Sequence, residues 1–196
     1  MKIVFLDIET TGLDFEIHMP IEIAMVIKDS NHPCVYTEYS SAIYQPKEIW
    51  DQADKKALEI NGFLERDIKK TQFSCVVAEQ IQGFLTSNHI SKDDSFFMCQ
   101  NPSFDRVFFH KIVSQKNMEY LQMPYHWLDL ASMYWIKTQS AKITLPEAKT
   151  LSKDTIATML KLPREEKPHT AVGGVRHLIS CYETLMTQEL KNERPK

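Results

Sequence analysis

The sequence predicts one α/β domain in which helices flank a mixed β-sheet. Three extended apolar stretches open the chain and an alternation of strands and helices follows, which is the order expected for such a sheet. The 196 residues suit one domain with a full core, and a composition of 43% hydrophobic and 25% charged residues is that of a folded globular protein. We expect the domain to span residues 1–190 and a polar tail to occupy residues 191–196.

Three strands are predicted in the first part of the chain. Residues 3–8 and 21–27 are short runs of β-branched and other apolar residues, which is typical of central strands buried on both faces. Residues 34–44 are rich in Tyr, Val and Thr, and Pro46 follows as the expected end of this strand. The chain is therefore predicted to begin with a three-stranded meander.

The remaining elements are predicted to be mostly helical. Helical spacing of apolar residues predicts helices over residues 48–62, 75–85, 128–136, 152–160 and 170–190. Between them, residues 96–99 form a compact apolar run that predicts a buried strand. Ser103 is the expected N-cap of a helix that follows this strand directly.

Composition and charge restrict the class of protein. The net charge is −3, so any binding of nucleic acid must be local and not driven by the overall field. No apolar run approaches the roughly 18 residues of a membrane span, and Asp7 follows the start too early for a signal peptide, so we expect a cytoplasmic protein without a membrane partner. The scattered cysteines predict buried thiols at Cys34, Cys75, Cys99 and Cys181.

Carboxylates at strand and helix ends predict a metal site. Asp7 and Glu9 are two residues apart in an apolar strand, so both side chains project from one face near its end. Two close carboxylates repel unless a cation such as Mg²⁺ neutralises them. Asp105, in the first turn of the predicted helix after residues 96–99, is the third candidate. The alternatives are an exposed strand end for the pair and a favourable helix-dipole interaction for Asp105.

Three motifs around these acids occur in order along the chain. Residues 5–13 read FLDIETTGL, residues 100–109 read QNPSFDRVFF, and residues 168–174 read PHTAVGG. They resemble the motifs D-x-E-T-T-G, H-N-x-x-F-D-x-x-F and H-x-A-x-x-D of the DEDDh 3′-to-5′ exonucleases, a superfamily that includes ribonuclease T, oligoribonuclease and the proofreading subunit of bacterial DNA polymerase III. Residues 127–131 resemble the strand-to-helix step of the same family, where we expect Asp129 to cap a helix.

The resemblance covers nearly the whole chain and implies a fold and an activity. The fold is a ribonuclease H-like domain with a five-stranded mixed sheet. The activity is hydrolysis of phosphodiester bonds at the 3′ end of single-stranded DNA or RNA, which releases nucleoside 5′-monophosphates. A homodimer is compatible with the resemblance.

The resemblance also implies roles for individual residues. Asp7, Glu9 and Asp105 would hold two Mg²⁺ or Mn²⁺ ions that clamp the scissile phosphate, and His169 would act as the general base. The residues implied in gripping the terminal nucleotide are Thr10, Thr11, Gly12, Leu13, Asn61, Asn101 and Phe104.

The third motif departs from the family at Gly174, the position of its fourth metal-binding Asp. The change removes one ligand and one negative charge, so we expect activity that is low, dependent on Mn²⁺ or absent. Three explanations stay open. The chain carries a substitution, natural or introduced; it is an inactive module that binds nucleic-acid ends or a protein partner; or another group replaces the Asp. His177, one turn further along the same helix face, is the replacement that the sequence offers.

Overall fold

One mixed sheet forms the centre of the molecule. The computed structural model describes residues 1–63, 71–140 and 151–187, except for the side chains of residues 33 and 34. Within these ranges five strands lie in the order β3-β2-β1-β4-β5. The first three are antiparallel, whereas β1, β4 and β5 run parallel. The strands are β1 (Lys2–Thr10), β2 (Pro20–Asp29), β3 (His32–Ala42), β4 (Ser95–Cys99) and β5 (Trp127–Asp129). The predicted meander and the mixed five-stranded sheet are confirmed.

Helices cover the two faces of this sheet. They are α1 (Lys47–Asp51), α2 (Lys55–Asn61), α3 (Ser74–Ser87), α4 (Pro102–Ile112), α5 (Gln115–Tyr120), α6 (Leu130–Ser140), α7 (Lys153–Met159) and α8 (Ala171–Thr187). The sequence pattern did not predict α5. Predicted helix residues 188–190 and the predicted tail, residues 191–196, lie outside the described ranges.

Three local expectations about helices were wrong. Residues 128 and 129, which the sequence pattern assigns to a helix, end strand β5, and α6 begins at Leu130. The helix predicted over residues 48–62 is two helices, because Asp54 interrupts it and caps α2 by accepting hydrogen bonds from the backbone N–H groups of Lys56 and Ala57. Ser103 does not cap α4 but lies inside it. This helix begins with Pro102 after Asn101, and the fixed φ of proline suits a first helical position.

The alternation of side chains along β1 divides the core into two layers. Val4, Leu6 and Ile8 face the layer formed with α3 and α4. Ile3 and Phe5 face the opposite layer, formed with α6, α7 and α8. Since every second residue shares a face, Asp7 and Glu9 must follow Ile3 and Phe5 toward α8.

The parallel pairing of β1 and β4 sets where the third acid lies. β4 pairs with residues 2–5 of β1, so its carboxyl end lies beside the point where β1 continues to Asp7. The chain then enters α4, which carries Asp105 in its first turn. Carboxyl ends of parallel strands are the usual position of functional side chains in such sheets. The topology therefore brings Asp105 to the strand end that carries Asp7.

The cysteines and the helices give two further observations. Cys99 and Cys181 are buried, as expected, but Cys75 is exposed and that expectation was wrong. Val77, Ile81 and Leu85 form the buried stripe of α3, and Cys75 lies off that stripe. The side chain of Cys34 lies outside the description.

Among the described helices, none has both the length and the apolar character that a membrane crossing requires.

Packing of α8 on the sheet gives a first stability prediction. Leu178 is fully buried in the layer between α8 and β1. We expect Leu178→Ala to lower the free energy of unfolding by about 2–5 kcal/mol, because it removes buried apolar contacts and leaves a cavity. Urea denaturation followed by circular dichroism measures the change. Met186→Ala on the same helix, at a side chain that is 57% exposed, is the control and should change it by less than about 0.5 kcal/mol. Equal losses in both variants would contradict the assigned packing.

Candidate active site

One cleft of about 400 Å³ gathers the acids predicted from the sequence. Asp7 and Glu9 enter it from the end of β1, Asp105 from α4, and His169 from the segment before α8. Three charged residues that lie outside the sequence motifs, Lys153, Asp154 and Glu165, line it as well. The other lining residues are Ile8, Leu13, Gln100, Asn101, Phe104 and Ser152.

The carboxyls of this cleft resist ionisation. Burial raises the pKa of Asp7 against the opposing effect of the Lys153 ammonium. Burial and then repulsion by Asp7 raise the pKa of Asp105 well above its usual range, and the same two causes raise the pKa of Glu9 to about 8. Acids crowded in this way ionise fully only when a cation neutralises them. The arrangement is therefore suited to binding positive charge.

Lys153 supplies one positive charge inside the cleft. Its Nζ lies 3.0 Å from Asp7 Oδ1 and 3.0 Å from Glu165 Oε2, and it donates to the Gly174 carbonyl at 3.2 Å. The side chain is only 12% exposed. Burial lowers the pKa of Lys153, but the two carboxylates outweigh it and the net effect is a rise, so the side chain stays an ammonium at neutral pH.

The carboxyl group of Asp7 occupies the space next to Gly174. A Cβ at this position would lie 2.5 Å from Asp7 Cγ and closer still to Oδ2. Asp7 therefore leans into the volume where the family has its fourth acid, and the Lys153 ammonium holds it in place. With Asp7 in this position, an Asp at position 174 is sterically excluded.

Three side chains have the spacing needed to bind one divalent ion. The ligand atoms of Glu9, Glu165 and His169 all lie within 4.8 Å of one another. Glu165 Oε1 is buried and has no hydrogen-bond partner among the residues that the structure describes. Carboxylate oxygens suit hard ions such as Mg²⁺ and Mn²⁺. The residues present thus fit the ions that the sequence motifs imply.

The segment before α8 is fixed at the position of His169. The backbone N–H of His169 donates to the carbonyl of Ile60 at 2.9 Å. One residue later Thr170 accepts from the N–H of Gly173 at 3.0 Å, and Glu22 of β2 accepts from the N–H of Ala171 at 3.0 Å. These bonds satisfy the free N–H groups of the helix start and hold the imidazole at the cleft.

The loop after β1 is shaped by its own side chains. Thr10 Oγ1 donates to the Gly12 carbonyl at 2.7 Å, and Thr11 Oγ1 accepts from the N–H of Met19 at 3.0 Å. A Cβ at Gly12 would lie 2.7 Å from Cε1 of His18, so a side chain at this position would require the His18 ring to move. Both threonines are buried, whereas Leu13 is 76% exposed and lines the cleft. The loop therefore presents its backbone and Leu13 to a ligand.

The remaining predicted contact residues divide into two groups. Asn101 and Phe104 line the cleft beside Asp105. Asn61 does not line it, which corrects the expectation for this residue, because its side chain is 1% exposed and donates to the Thr10 carbonyl at 3.2 Å. Asn61 therefore supports the backbone of this loop, and its side chain is not exposed for contact with a ligand.

His177 and Asp129 are not among the residues that line the cleft. The Nε2 of His177 is 2.9 Å from the Pro163 carbonyl and its Nδ1 is 3.9 Å from Glu165 Oε2, so its position does not support the alternative in which it replaces the missing acid. Asp129 caps α6 by accepting from the N–H groups of Ala131 and Ser132, as expected. In the sequence, Glu165 lies in a run of mixed charge, Arg-Glu-Glu-Lys, which is typical of a solvated loop. This pattern does not indicate that Glu165 faces the cleft.

Comparisons with known sequences identify relatives. The family model described as "Exonuclease", RNase T, matches residues 4–179. The oligoribonuclease of Buchnera aphidicola subsp. Acyrthosiphon pisum is 26% identical over 64% of this chain and 75% of its own length. The oligoribonuclease of Burkholderia lata is 30% identical over 57% of this chain, and the match spans 61% of that protein, less than two thirds of it.

Comparisons with solved structures agree on the fold. The crystal structure of cell-death related nuclease 4 superposes with a TM-score of 0.72 at 17% identity, over 97% of this chain and 66% of that one. Escherichia coli exonuclease I in complex with a dT13 oligonucleotide superposes with a TM-score of 0.70 at 17% identity, over 96% of this chain and 41% of that one. At these identities the likeness establishes the ribonuclease H-like fold.

The Lys153 contacts predict a stability that depends on metal. We expect Lys153→Met to lower the free energy of unfolding by about 3–5 kcal/mol in EDTA, because buried carboxylates lose their counter-ion. Saturating Mn²⁺ should restore most of the loss. Urea denaturation in EDTA and in MnCl₂ measures both values, with Lys55→Met on the exposed face of α2 as the control. A loss of the same size in both solutions would argue against Lys153 acting as a counter-ion.

The packing at Gly174 predicts opposite effects of alanine at two helical glycines. Gly174→Ala should lower the free energy of unfolding in EDTA by about 1–3 kcal/mol, because the new Cβ displaces Asp7 from Lys153. Gly83→Ala in α3, where no atom lies within 4 Å of the new Cβ, should raise it by roughly 0.5–1 kcal/mol through helix propensity. Thermal and urea denaturation measure both variants. A stabilising Gly174→Ala would mean that Asp7 is not confined as described.

Proposed function

The chain belongs to the RNase T exonuclease family, and on that premise we propose that it hydrolyses phosphodiester bonds at the 3′ end of single-stranded nucleic acid and releases nucleoside 5′-monophosphates. The observation that carries the proposal is the convergence of Asp7, Glu9, Asp105 and His169 on one cleft. These residues come from three separate parts of the chain, and each belongs to a motif of the family. A cluster of polar residues that served only the stability of the fold would not need to match the motifs of the family.

We further propose that the reaction depends on divalent metal ions. Asp7, Glu9 and Asp105 would hold two Mg²⁺ or Mn²⁺ ions, which when bound activate a water molecule and stabilise the charge that develops on the scissile phosphate. His169 would accept the proton of the attacking water on a ring nitrogen, since it lines the cleft beside Glu9. As the oxygen of this water bonds to phosphorus, the bond from phosphorus to the 3′ oxygen of the preceding nucleotide would break, and that oxygen would take a proton from solvent and leave as a hydroxyl.

The cleft has features suited to a nucleotide at the end of a strand. Its volume of about 400 Å³ lies within the range of sites for small molecules. We propose that the exposed Leu13 and the ring of Phe104 contact the terminal base, because both line the cleft. Backbone groups of the loop that contains Thr10, Thr11 and Gly12, and the side chain of Asn101, would bind the sugar and phosphate. Exonuclease I has been solved with an oligonucleotide, dT13, which supports a single-stranded substrate.

A second candidate function is favoured by two features of the site. Position 174 carries no acid, and the Lys153 ammonium already contacts Asp7, which in an active site would bind metal. Both features are compatible with a module that binds 3′ ends without cleaving them, or that binds a protein partner. The two candidates differ in whether bound oligonucleotides are shortened.

Other expectations from the sequence continue as proposals. We propose that the exonuclease domain ends near residue 190, that the protein acts in the cytoplasm, and that it forms a homodimer. Size-exclusion chromatography with light scattering tests the last of these.

The activity itself gives a direct prediction. Oligonucleotides of RNA and DNA labelled at the 5′ end should be shortened stepwise from the 3′ end in Mg²⁺ or Mn²⁺, and gel electrophoresis measures the products. Asp105→Asn should reduce the rate by more than the roughly 10- to 100-fold typical of residues that only orient metal ligands. Asp93→Asn, at an exposed Asp between α3 and β4, is the matched control and should retain the full rate.

Two results would contradict this assignment. Internal fragments, or loss of the 5′ label, would rule out stepwise removal from the 3′ end. If both oligonucleotides bind tightly but neither is shortened in Mg²⁺ or Mn²⁺, the exonuclease proposal is wrong and the second candidate, a module that binds 3′ ends, is supported.

A further inference from the structure

The position of the family's fourth acid is Gly174, and we propose that Glu165 supplies the missing carboxylate to the metal site from the segment between α7 and α8. The inference rests on the proposed function, because it concerns the same metal site. It differs from the family pattern in the source of the ligand. The pattern places this acid on α8, whereas Glu165 lies before that helix.

The backbone around Glu165 is held against α7. Its N–H donates to Oδ1 of Asp154 at 3.0 Å, and Asp154 lies in the first turn of α7. Lys153, the neighbour of Asp154, binds Glu165 Oε2 with its ammonium at 3.0 Å. Two adjacent residues of one helix therefore hold the main chain and the side chain of Glu165. A side chain fixed at both ends has little freedom to lose on binding an ion.

The second carboxylate oxygen of Glu165 points to a missing ligand. Oε1 is buried in a side chain that is only 5% exposed, and no group of the described residues forms a hydrogen bond to it. A buried charged oxygen without a partner is costly, and native structures rarely keep one without a reason. One carboxylate oxygen of Glu165 lies within 4.8 Å of the ligand atoms of Glu9 and His169, so an ion held by Glu9 would lie within reach of this carboxyl group.

The charge of the cleft leads to the same ligand. Asp154 also lines the cleft, which therefore carries five negative charges when this residue, Asp7, Glu9, Asp105 and Glu165 are all ionised, and Lys153 offsets one of them. Four negative charges then remain, which two divalent ions balance. With Glu165 included, the number of proposed ligand acids equals that of the family motif despite Gly174. The adjacent Glu166 is exposed and adds nothing to the cleft.

The steric relation between the two positions explains the exchange. Asp7 leans into the volume next to Gly174, where a Cβ would lie 2.5 Å from its Cγ. An acid on α8 therefore competes with Asp7 for space, whereas Glu165 approaches from the side of Lys153 without such a clash. Glu165 can bind the ion while Asp7 remains as observed.

Metal binding tests this inference apart from catalysis. Isothermal titration of the full chain with MnCl₂ gives the dissociation constant for the unaltered protein, Glu165→Gln, Glu166→Gln and Glu9→Gln. We expect Glu165→Gln and Glu9→Gln each to weaken Mn²⁺ binding by about tenfold or more, because each loses a charged ligand. Glu166→Gln, the same change one residue away, should stay within twofold of the unaltered protein.

The outcomes separate this inference from the proposed function. If Glu165→Gln binds Mn²⁺ as tightly as Glu166→Gln while Glu9→Gln does not, Glu165 is not a ligand and the exonuclease proposal stands. If the unaltered chain takes up no Mn²⁺ and shortens no oligonucleotide, both proposals fall.

A second variant covers failure of Glu165→Gln to fold, which circular dichroism in EDTA reveals. Glu165→Asp keeps the negative charge, and its carboxylate can still pair with Lys153 although the side chain is shorter by one methylene. It should bind Mn²⁺ more weakly than the unaltered chain by severalfold. Unchanged affinity in a folded Glu165→Asp would overturn the inference, since a ligand withdrawn by one methylene cannot keep the same coordination.

Discussion

The strict alternation of side chains along β1 is the constraint on which the rest of the molecule depends. Val4, Leu6 and Ile8 pack on one layer of helices, so the residues between them must face the other. Because of this alternation, Phe5 is buried against α8, and Asp7 and Glu9 lie on the same face of β1, near the N-terminal end of that helix. Core and cleft are thus two ends of one face of a single strand, and a shift of register by one residue would destroy both.

Crowding of negative charge at this point requires compensation, and the protein provides it internally. The Lys153 ammonium lies between Asp7 and Glu165 and contacts a carboxylate oxygen of each at 3.0 Å. A buried ion pair contributes little net stability compared with apolar packing, but it fixes the positions of its members. In this chain it keeps the acids close together, ready for a divalent ion, before that ion arrives.

Much of this arrangement could be predicted from the sequence, for identifiable reasons. Asp7, Glu9 and Asp105 belong to local motifs, and strand alternation together with helix position gives their directions. Glu165 and Lys153 could not be found in this way, because their inward orientation arises from contacts between distant segments, such as Lys153 with Asp7. Asn61 was assigned to the ligand by resemblance alone, and the structure instead joins it to the carbonyl of Thr10. Local sequence patterns identify functional side chains whose direction is set by a strand or a helix. They miss side chains whose direction is set by an irregular segment.

The contact between Asp7 and Gly174 has an evolutionary consequence. Asp and Gly codons differ by one base, yet the exchange at this position is coupled to the placement of Asp7, Lys153 and Glu165. A lineage that regained the acid on α8 would also need to lose or redirect the lysine. Residues 153, 165 and 174 should therefore change together among relatives, as one unit of inheritance, and a chain with only one of the three replaced would be a disfavoured intermediate.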